Sequence, residues 1–199
     1  MALHPQPEWH GQTAGNMRHY RRPAVDVSHL PREQQLAVLE QEASKLADDA
    51  LNADPGTATG QSKLKAGCAG SFLHDNVVTA HSSTTKMHGQ KVPNTHAVLD
   101  GILQKISDDV ESGALPRKGV GHGKCAEISL ISDRLHQLEE AGTRVSTVDE
   151  ARRALEGSVM HTRRIGEFTL GEVVHRHNDY LPPCDTCRHV LPALGIHAR

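Results

Sequence analysis

Late in this 199-residue chain the stretch LPPCDTCRHVLPALGI sets Cys184 and Cys187 with two residues between them, directly behind a double proline. A helix that starts here brings both sulfurs to one side of its first turn, where exposed N–H groups favour negative sulfur. Such a pair can grip one metal ion, but two ligands do not hold zinc, so the fold has to deliver a further donor from a distant part of the chain. The competing reading, a thioredoxin-like redox motif, calls for a C-x-x-C directly after an early strand rather than this late position. The chain has four cysteines. Cys125, in GHGKCAEISL, also stands at a predicted helix start and is the natural third ligand, whereas Cys68 has no partner pattern and reads as a buried strand residue. Two disulfides would suit an oxidising compartment, but a chain of this length with its own core needs no staples.

The remaining pattern has to place those two helix mouths side by side. Residues 1–30 are rich in Pro, His, Arg and Gln without apolar periodicity and read as a loop or extended arm. Pro31 opens an amphipathic helix over 32–51, in which Leu36, Leu39, Leu46 and Ala50 recur at helical spacing until Pro55-Gly56 stops the pattern. The turn-rich stretch 52–63 is the best boundary, giving an N-terminal arm and helix over 1–60 and a main domain over 61–199. Phe72, Leu73, Val77 and Val78 flank His74-Asp75-Asn76 as a β-hairpin. Asn94-Thr95 can cap the next helix, whose apolar face includes Val98, Leu99, Ile102, Leu103 and Ile106 and which ends at Gly113. A glycine-punctuated loop, ALPRKGVGHGK, leads into the helix of Ile128, Ile131, Leu135 and Leu138, which Gly142 ends. Ser146 or Thr147 with Glu150 makes a capping box for a short helix. SVMHTRRI and GEFTLGEVVHRH are strand-like, and the cysteine helix closes at Gly195. Elements in this order make an α/β layered domain.

Glu127 decides how the cysteines are read. Three thiolates leave the fourth tetrahedral position of zinc open, as in a catalytic site and unlike a closed structural one. Two residues past Cys125, Glu127 is badly placed as a ligand, yet a helix start can aim it at water on the metal. A zinc knot closed by His122 or His189 is the alternative, and it leaves Glu127 as an ordinary first-turn acid favoured by the helix dipole. CAE followed by PCDTC resembles the signature of the cytidine deaminase-like superfamily, H-x-E with P-C-x-x-C. It is similar in particular to the YwqJ-like branch of bacterial deaminases, which is associated with the toxin tips of polymorphic toxin systems. The resemblance spans roughly residues 64–199.

That resemblance implies a three-layer α/β/α fold with a mixed central sheet, here with an N-terminal helical extension. It implies Zn2+ held by Cys125, Cys184 and Cys187, with Glu127 as the catalytic residue that carries a proton from water to the ring nitrogen beside the amine-bearing carbon, ammonia then leaving. It also points to substrate contacts by His81, Ser82 and Ser83, just past the second hairpin strand, with His122, Tyr180 and Pro183 as further candidates. The gap between the two metal motifs is long, so the short helix at 147–156 and the strands after it read as an insertion at the pocket rim. Little chain follows Ile196 to make the last strands many family members carry.

Composition narrows the partners. A net charge of -2 with histidine neutral and a pI near 6.7 give no strongly basic footprint, and 3% aromatic residues exclude a long base-stacking platform. Phe72, Phe168 and Tyr180 are three of the five aromatics in the chain. Arg152, Arg153, Arg163 and Arg164 form a local basic set that either grips phosphate or is a solvated face. The opening residues lack the apolar core of a signal peptide, and no run of about 20 apolar residues follows, so the expectation is a soluble chain with no membrane partner. The expected function is zinc-dependent deamination of cytosine or adenine in a nucleic acid or nucleotide, as an antibacterial toxin domain acting in the cytoplasm after delivery by a secretion system. Deamination of free nucleosides or related metabolites, and a non-catalytic zinc-stabilised binding module, are the alternatives. The helix at 32–51 can dock an immunity protein or a second copy of the chain in a homo-oligomer.

Overall fold

The computed structural model describes residues 17–18, 20–52, 67–86 and 95–199; the expected boundary over 52–63 lies outside them from 53 onward. The stretch expected to be an arm contributes to the sheet. After β1 (Met17–Arg18), strand β2 (Arg21–Asp26) pairs antiparallel with a central strand, Arg21 opposite His81 and Asp26 opposite Val77. Its sequence, RRPAVD, conceals it, because an edge strand half open to solvent needs no apolar alternation. Pro23 has no N–H to donate and is tolerated at this edge, where the register shifts between Arg22 and Val25.

Helix α1 (Arg32–Asn52) follows as its periodicity predicts, with Leu39, Ala43, Leu46 and Ala47 fully buried. Strand β3 (Cys68–His74) turns through Asp75 and Asn76, at φ 50° and 60°, into β4 (Val77–Ser82). Both turn residues are of the kind that tolerates left-handed backbone, the conformation a two-residue hairpin needs. β5 (Thr85–Lys86) then pairs with β1. Helix α2 (Ala97–Glu111) is capped by His96, whose side chain accepts the Val98 N–H at 3.3 Å, in place of the expected Asn94-Thr95 cap. Helix α3 (Ala126–Glu140) ends at Gly142, φ 86°, with the Thr143 N–H returning to Leu138 O at 2.8 Å. Helix α4 (Val148–Leu155) starts from a capping box of Thr147 and Glu150, as anticipated. Strand β6 (Val159–Arg164), the hairpin of β7 (Phe168–Leu170) and β8 (Val173–His175), helix α5 (Cys187–Ala193) and strand β9 (His197–Ala198) complete the described chain.

The five-stranded sheet runs β2-β4-β3-β6-β9, antiparallel except for the β6–β9 pair, and is therefore mixed. Its two faces follow the period-two alternation of a strand. Ala69 and Leu73 of β3 pack with α1, and Ser71 between them donates to Leu39 O. Phe72 packs on the other face, in a core shared by α2, α3, α4 and α5. The result is three layers: one long helix, the sheet, and a four-helix layer. The chain end supplies only the two residues of β9 as a last strand. The outer edge of β6 is divided. β9 pairs with Val159 and Met160, while residues 178–181 bond to its far end, the Arg164 N–H to Asp179 O and the Leu181 N–H to Thr162 O, each at 2.9 Å. That second pairing aims the chain at Cys184. No helix among the described residues is long and apolar enough to cross a membrane.

Candidate active site

Two helix mouths meet at one end of the four-helix layer. Cys125 is the N-cap of α3, in extended backbone, and Cys187 is the first residue of α5, with Cys184 in the turn before it. The sulfurs of Cys125 and Cys184 are 3.4 Å apart, and all three sulfurs lie within 4.8 Å of one another, with no disulfide among them. Three sulfurs about 2.3 Å from a common zinc ion would be spaced by about 3.8 Å, so the set fits that ion. The surrounding backbone fits it as well. A Cβ on Gly119 would come within 2.7 Å of the Cys184 sulfur, and one on Gly121 within 3.1 Å of the Cys125 sulfur. Gly119 and Gly121 thus let the backbone pass close to the sulfurs, where a side chain would force a shift.

Cys184 is drawn down by hydrogen bonds from the Cys125 and Cys187 thiols and the N–H groups of Cys187 and Thr186, while donating to it, together with burial, pushes Cys125 and Cys187 up. Thr186, the α5 N-cap, locks the glycine loop to this mouth: its hydroxyl accepts the Gly119 N–H at 2.9 Å and lies 2.9 Å from His122 Nδ1.

Glu127 sits in the first turn of α3, 3% exposed, and its Oε2 has no hydrogen-bond partner among the described residues. Burial pushes its carboxyl up to about 7, against the opposing pull of its own N–H and the Thr162 hydroxyl. Gly70 on β3 makes room for this helix start, since a Cβ there would meet Ala126 Cβ and Leu130 Cδ1 at 3.0 Å. Above these groups opens a cleft of about 520 Å³, in the size range of small-molecule sites. Cys125, Cys184 and Glu127 line it with Cys68, Ser83 and Thr84; Val120, Leu181 and Pro182 add apolar surface.

Of the six residues expected to touch substrate, the structure brings Ser83 to the cleft, where its hydroxyl also accepts the Cys68 N–H at 3.1 Å. The other five do not line it. Ser82 pairs with Ala69 and so belongs to the α1 side, its hydroxyl bonded to Tyr20 N–H and Ser83 O. His81 is fully buried within β4, its Nδ1 2.6 Å from Ser82 O. His122 lies behind the cysteines, held between Thr186 and Ser107. Tyr180 is exposed over His161 at the divided edge of β6, and Pro183 yields the lining to its neighbour Pro182. Neither His122 nor His189 joins the three sulfurs as a potential ligand among the described residues. His189 lies instead in a separate groove between α2 and α5.

Sequence reasoning missed Thr84, Thr162 and Thr186, and named Arg164 only as one of a basic set that either grips phosphate or is a solvated face. Only Thr186 carried a local signal, threonine at a helix N-cap position. Of the segments read as an insertion, α4 buries Ala151 and Leu155 in the main core, whereas β7 follows β6 so directly that Phe168 packs against Arg164 on the cleft wall.

A mixed sheet between helical layers, with a C-x-E helix mouth and a P-C-x-x-C helix mouth meeting at one end, defines a deaminase of the cytidine deaminase-like superfamily. Residues 53–196 match the family model described as YwqJ-like deaminase, and the chain belongs to that family. β2 and α1 lie ahead of the matched segment. No curated protein and no solved structure shows a match to the chain.

Proposed function

We propose that the chain is a zinc-dependent hydrolytic deaminase of a nucleobase, cytosine or adenine, with Cys125, Cys184 and Cys187 as the donors and Glu127 as the proton carrier. The observation that supports it most is the buried, unpartnered Oε2 of Glu127 beside three converging sulfurs. Such an atom costs stability unless a reacting group becomes its partner. Zinc, when bound, supplies the Lewis acidity that makes water a nucleophile near neutral pH.

Glu127 takes the proton that the attacking water gives up and passes it to the ring nitrogen next to the amine-bearing carbon. The water oxygen bonds to that carbon. A second proton moves through the same carboxyl to the amine, the C–N bond breaks, ammonia leaves and a carbonyl remains. A group that serves as base and then acid works best with its pKa near the working pH, and burial brings Glu127 there. Ser83 and Thr84 offer hydroxyls to the ring edge, and Val120, fully exposed at the rim, offers an apolar surface to its face. A non-catalytic zinc module would leave the Glu127 oxygen without purpose.

The toxin role and an immunity-type partner belong to this proposal through the family resemblance alone. Glu127→Ala is expected to abolish ammonia release from cytosine- and adenine-containing substrates while the protein still co-purifies with zinc. Undiminished turnover in that variant would overturn the mechanism. Expression in a sensitive bacterium tests the toxin role, with C-to-T or A-to-G changes as the expected record and an unchanged spectrum as the refutation.

A further inference from the structure

Four cations stand around the cleft, and they are not equivalent. Arg117 and Arg188 both lean on Asp185, at 2.6 and 3.8 Å, so their charge is partly matched. Lys124 and Arg164 line the same cleft and make no salt bridge among the described residues, Asp179 acting on Arg164 only through its charge at longer range. Arg164 is also held in position. Its Cζ lies 4.3 Å over the Phe168 ring, and Phe168 stacks in turn on His175 with centroids 4.6 Å apart and planes within 12°. A guanidinium whose face is covered in this way keeps its N–H edge available as a planar fork, the shape that matches two oxygens of a phosphate.

Position supports the same ligand. Cys125 and Lys124 are adjacent in the chain, and the Lys124 carbonyl accepts the Thr84 N–H at 3.0 Å, which ties the lysine to the hydroxyl side of the cleft. Arg164 stands opposite Cys68 across the β3–β6 pair, on the same cleft wall. Glu127 and the sulfurs are thus recessed, and positive charge without a salt-bridge partner borders them. An uncharged nucleoside offers these two cations no opposite charge, whereas a phosphate on its sugar does.

We propose that Lys124 and Arg164 bind a substrate phosphate, so that the chain deaminates a phosphate-bearing compound, a nucleotide or a nucleic-acid strand, in preference to a free nucleoside. This inference rests on the deaminase reading above and adds the class of substrate to it.

Steady-state kinetics of the zinc-loaded chain separate the cases. The probes are cytidine, adenosine, their 5′-monophosphates, and short single-stranded DNA and RNA oligomers. Lys124→Gln and Arg164→Gln are each expected to raise KM for phosphate-bearing probes by about ten-fold or more, the value of a charge-assisted contact, with a much smaller change on the nucleosides. The native KM should rise with salt, and Arg152→Gln on α4 should match the native protein. Lys124 is exposed, so its variant reads binding without disturbing the sheet. Turnover of the oligomers alone assigns the phosphodiester, and turnover of the monophosphates assigns the free nucleotide. Nucleosides and their phosphates used equally well, or variants that slow both alike, would overturn the phosphate site and leave the deaminase reading intact. If no probe is deaminated, that reading fails instead. Anisotropy of a labelled oligomer and calorimetry with cytidine 5′-monophosphate then decide the phosphate site, which stands if both variants weaken binding and falls if neither does.

Discussion

On the α1 side of the sheet Ser71 Oγ donates to Leu39 O and Gln35 Nε2 reaches Val27 O, Leu30 O and Asn76 Oδ1, while Asn178 Oδ1, beside Ser44 of α1, has no partner among the described residues. Around α3 on the opposite side, Glu127 Oε2, Thr84 Oγ1 and both Nη atoms of Arg134 have none among the described residues. Each such atom costs about 1–3 kcal/mol, a large fraction of what holds a domain together. Glu127 and Thr84 both line the cleft, and under the proposed function a bound substrate would supply the missing partner. Arg134 lies away from the cleft, and nothing in the structure explains its unpaired Nη atoms. The cleft side thus combines the larger apolar core with unpaired polar atoms beside its reactive groups.

The sharpest way to break this division is to remove the reactive group and keep its shape. Glu127→Gln is expected to lower turnover by about 10²–10⁴-fold, the range of general acid–base catalysis, while the thermal midpoint holds or rises because a buried carboxyl is gone. A large drop in the midpoint would mean that Glu127 is structural. Leu46→Ala probes the other face. It should cost about 2–5 kcal/mol in urea unfolding and leave kcat of the folded protein near native. Gly119→Ala aims a methyl at the Cys184 sulfur from 2.7 Å and should weaken zinc binding by about ten-fold or more, read by competition with a coloured chelator. Unchanged affinity would show that the loop yields without strain.

The smallest effect concerns pH. His74 and His161 are both held below the ordinary 6.5, in each case mainly by burial. Above that value neither the folded nor the unfolded chain protonates them, so stability is full. As pH falls below it the unfolded chain takes up protons that the folded one resists, and stability declines toward the folded pKa values. The double variant His74→Gln, His161→Gln should flatten urea midpoints measured between neutral pH and about 5, in the window where unperturbed histidine titrates. An unaltered slope would place the titration elsewhere.

Much of this division was legible in the chain. Leu39 and Leu46 announced α1, Asp75-Asn76 announced the hairpin turn, and the C-x-E and C-x-x-C helix starts announced which residues to bring together. These are local signals, set by spacing along one element. What was lost depends on pairing between elements. β2 has no alternation because it is an open edge, and the side on which Ser82 and Ser83 fall is decided by register with β3. Thr162 reaches Glu127, and Arg164 the cleft, only because β6 lies beside β3. The α2 cap passed to His96, which also contacts Glu139 on α3 at 3.1 Å, a tertiary reason that no cap rule contains.

A gene fragment cut at the matched residues, 53–196, would encode a protein with its sheet uncovered on one side. Leu73, Val78 and Ala80 would meet water where α1 now lies over them, and β4 would lose β2 and offer its hydrogen bonds to any passing strand. Such a fragment is expected to collect in inclusion bodies. A missing activity in refolded material of that length would then be a fault of where the gene was cut, and would say nothing about the chemistry of the cleft.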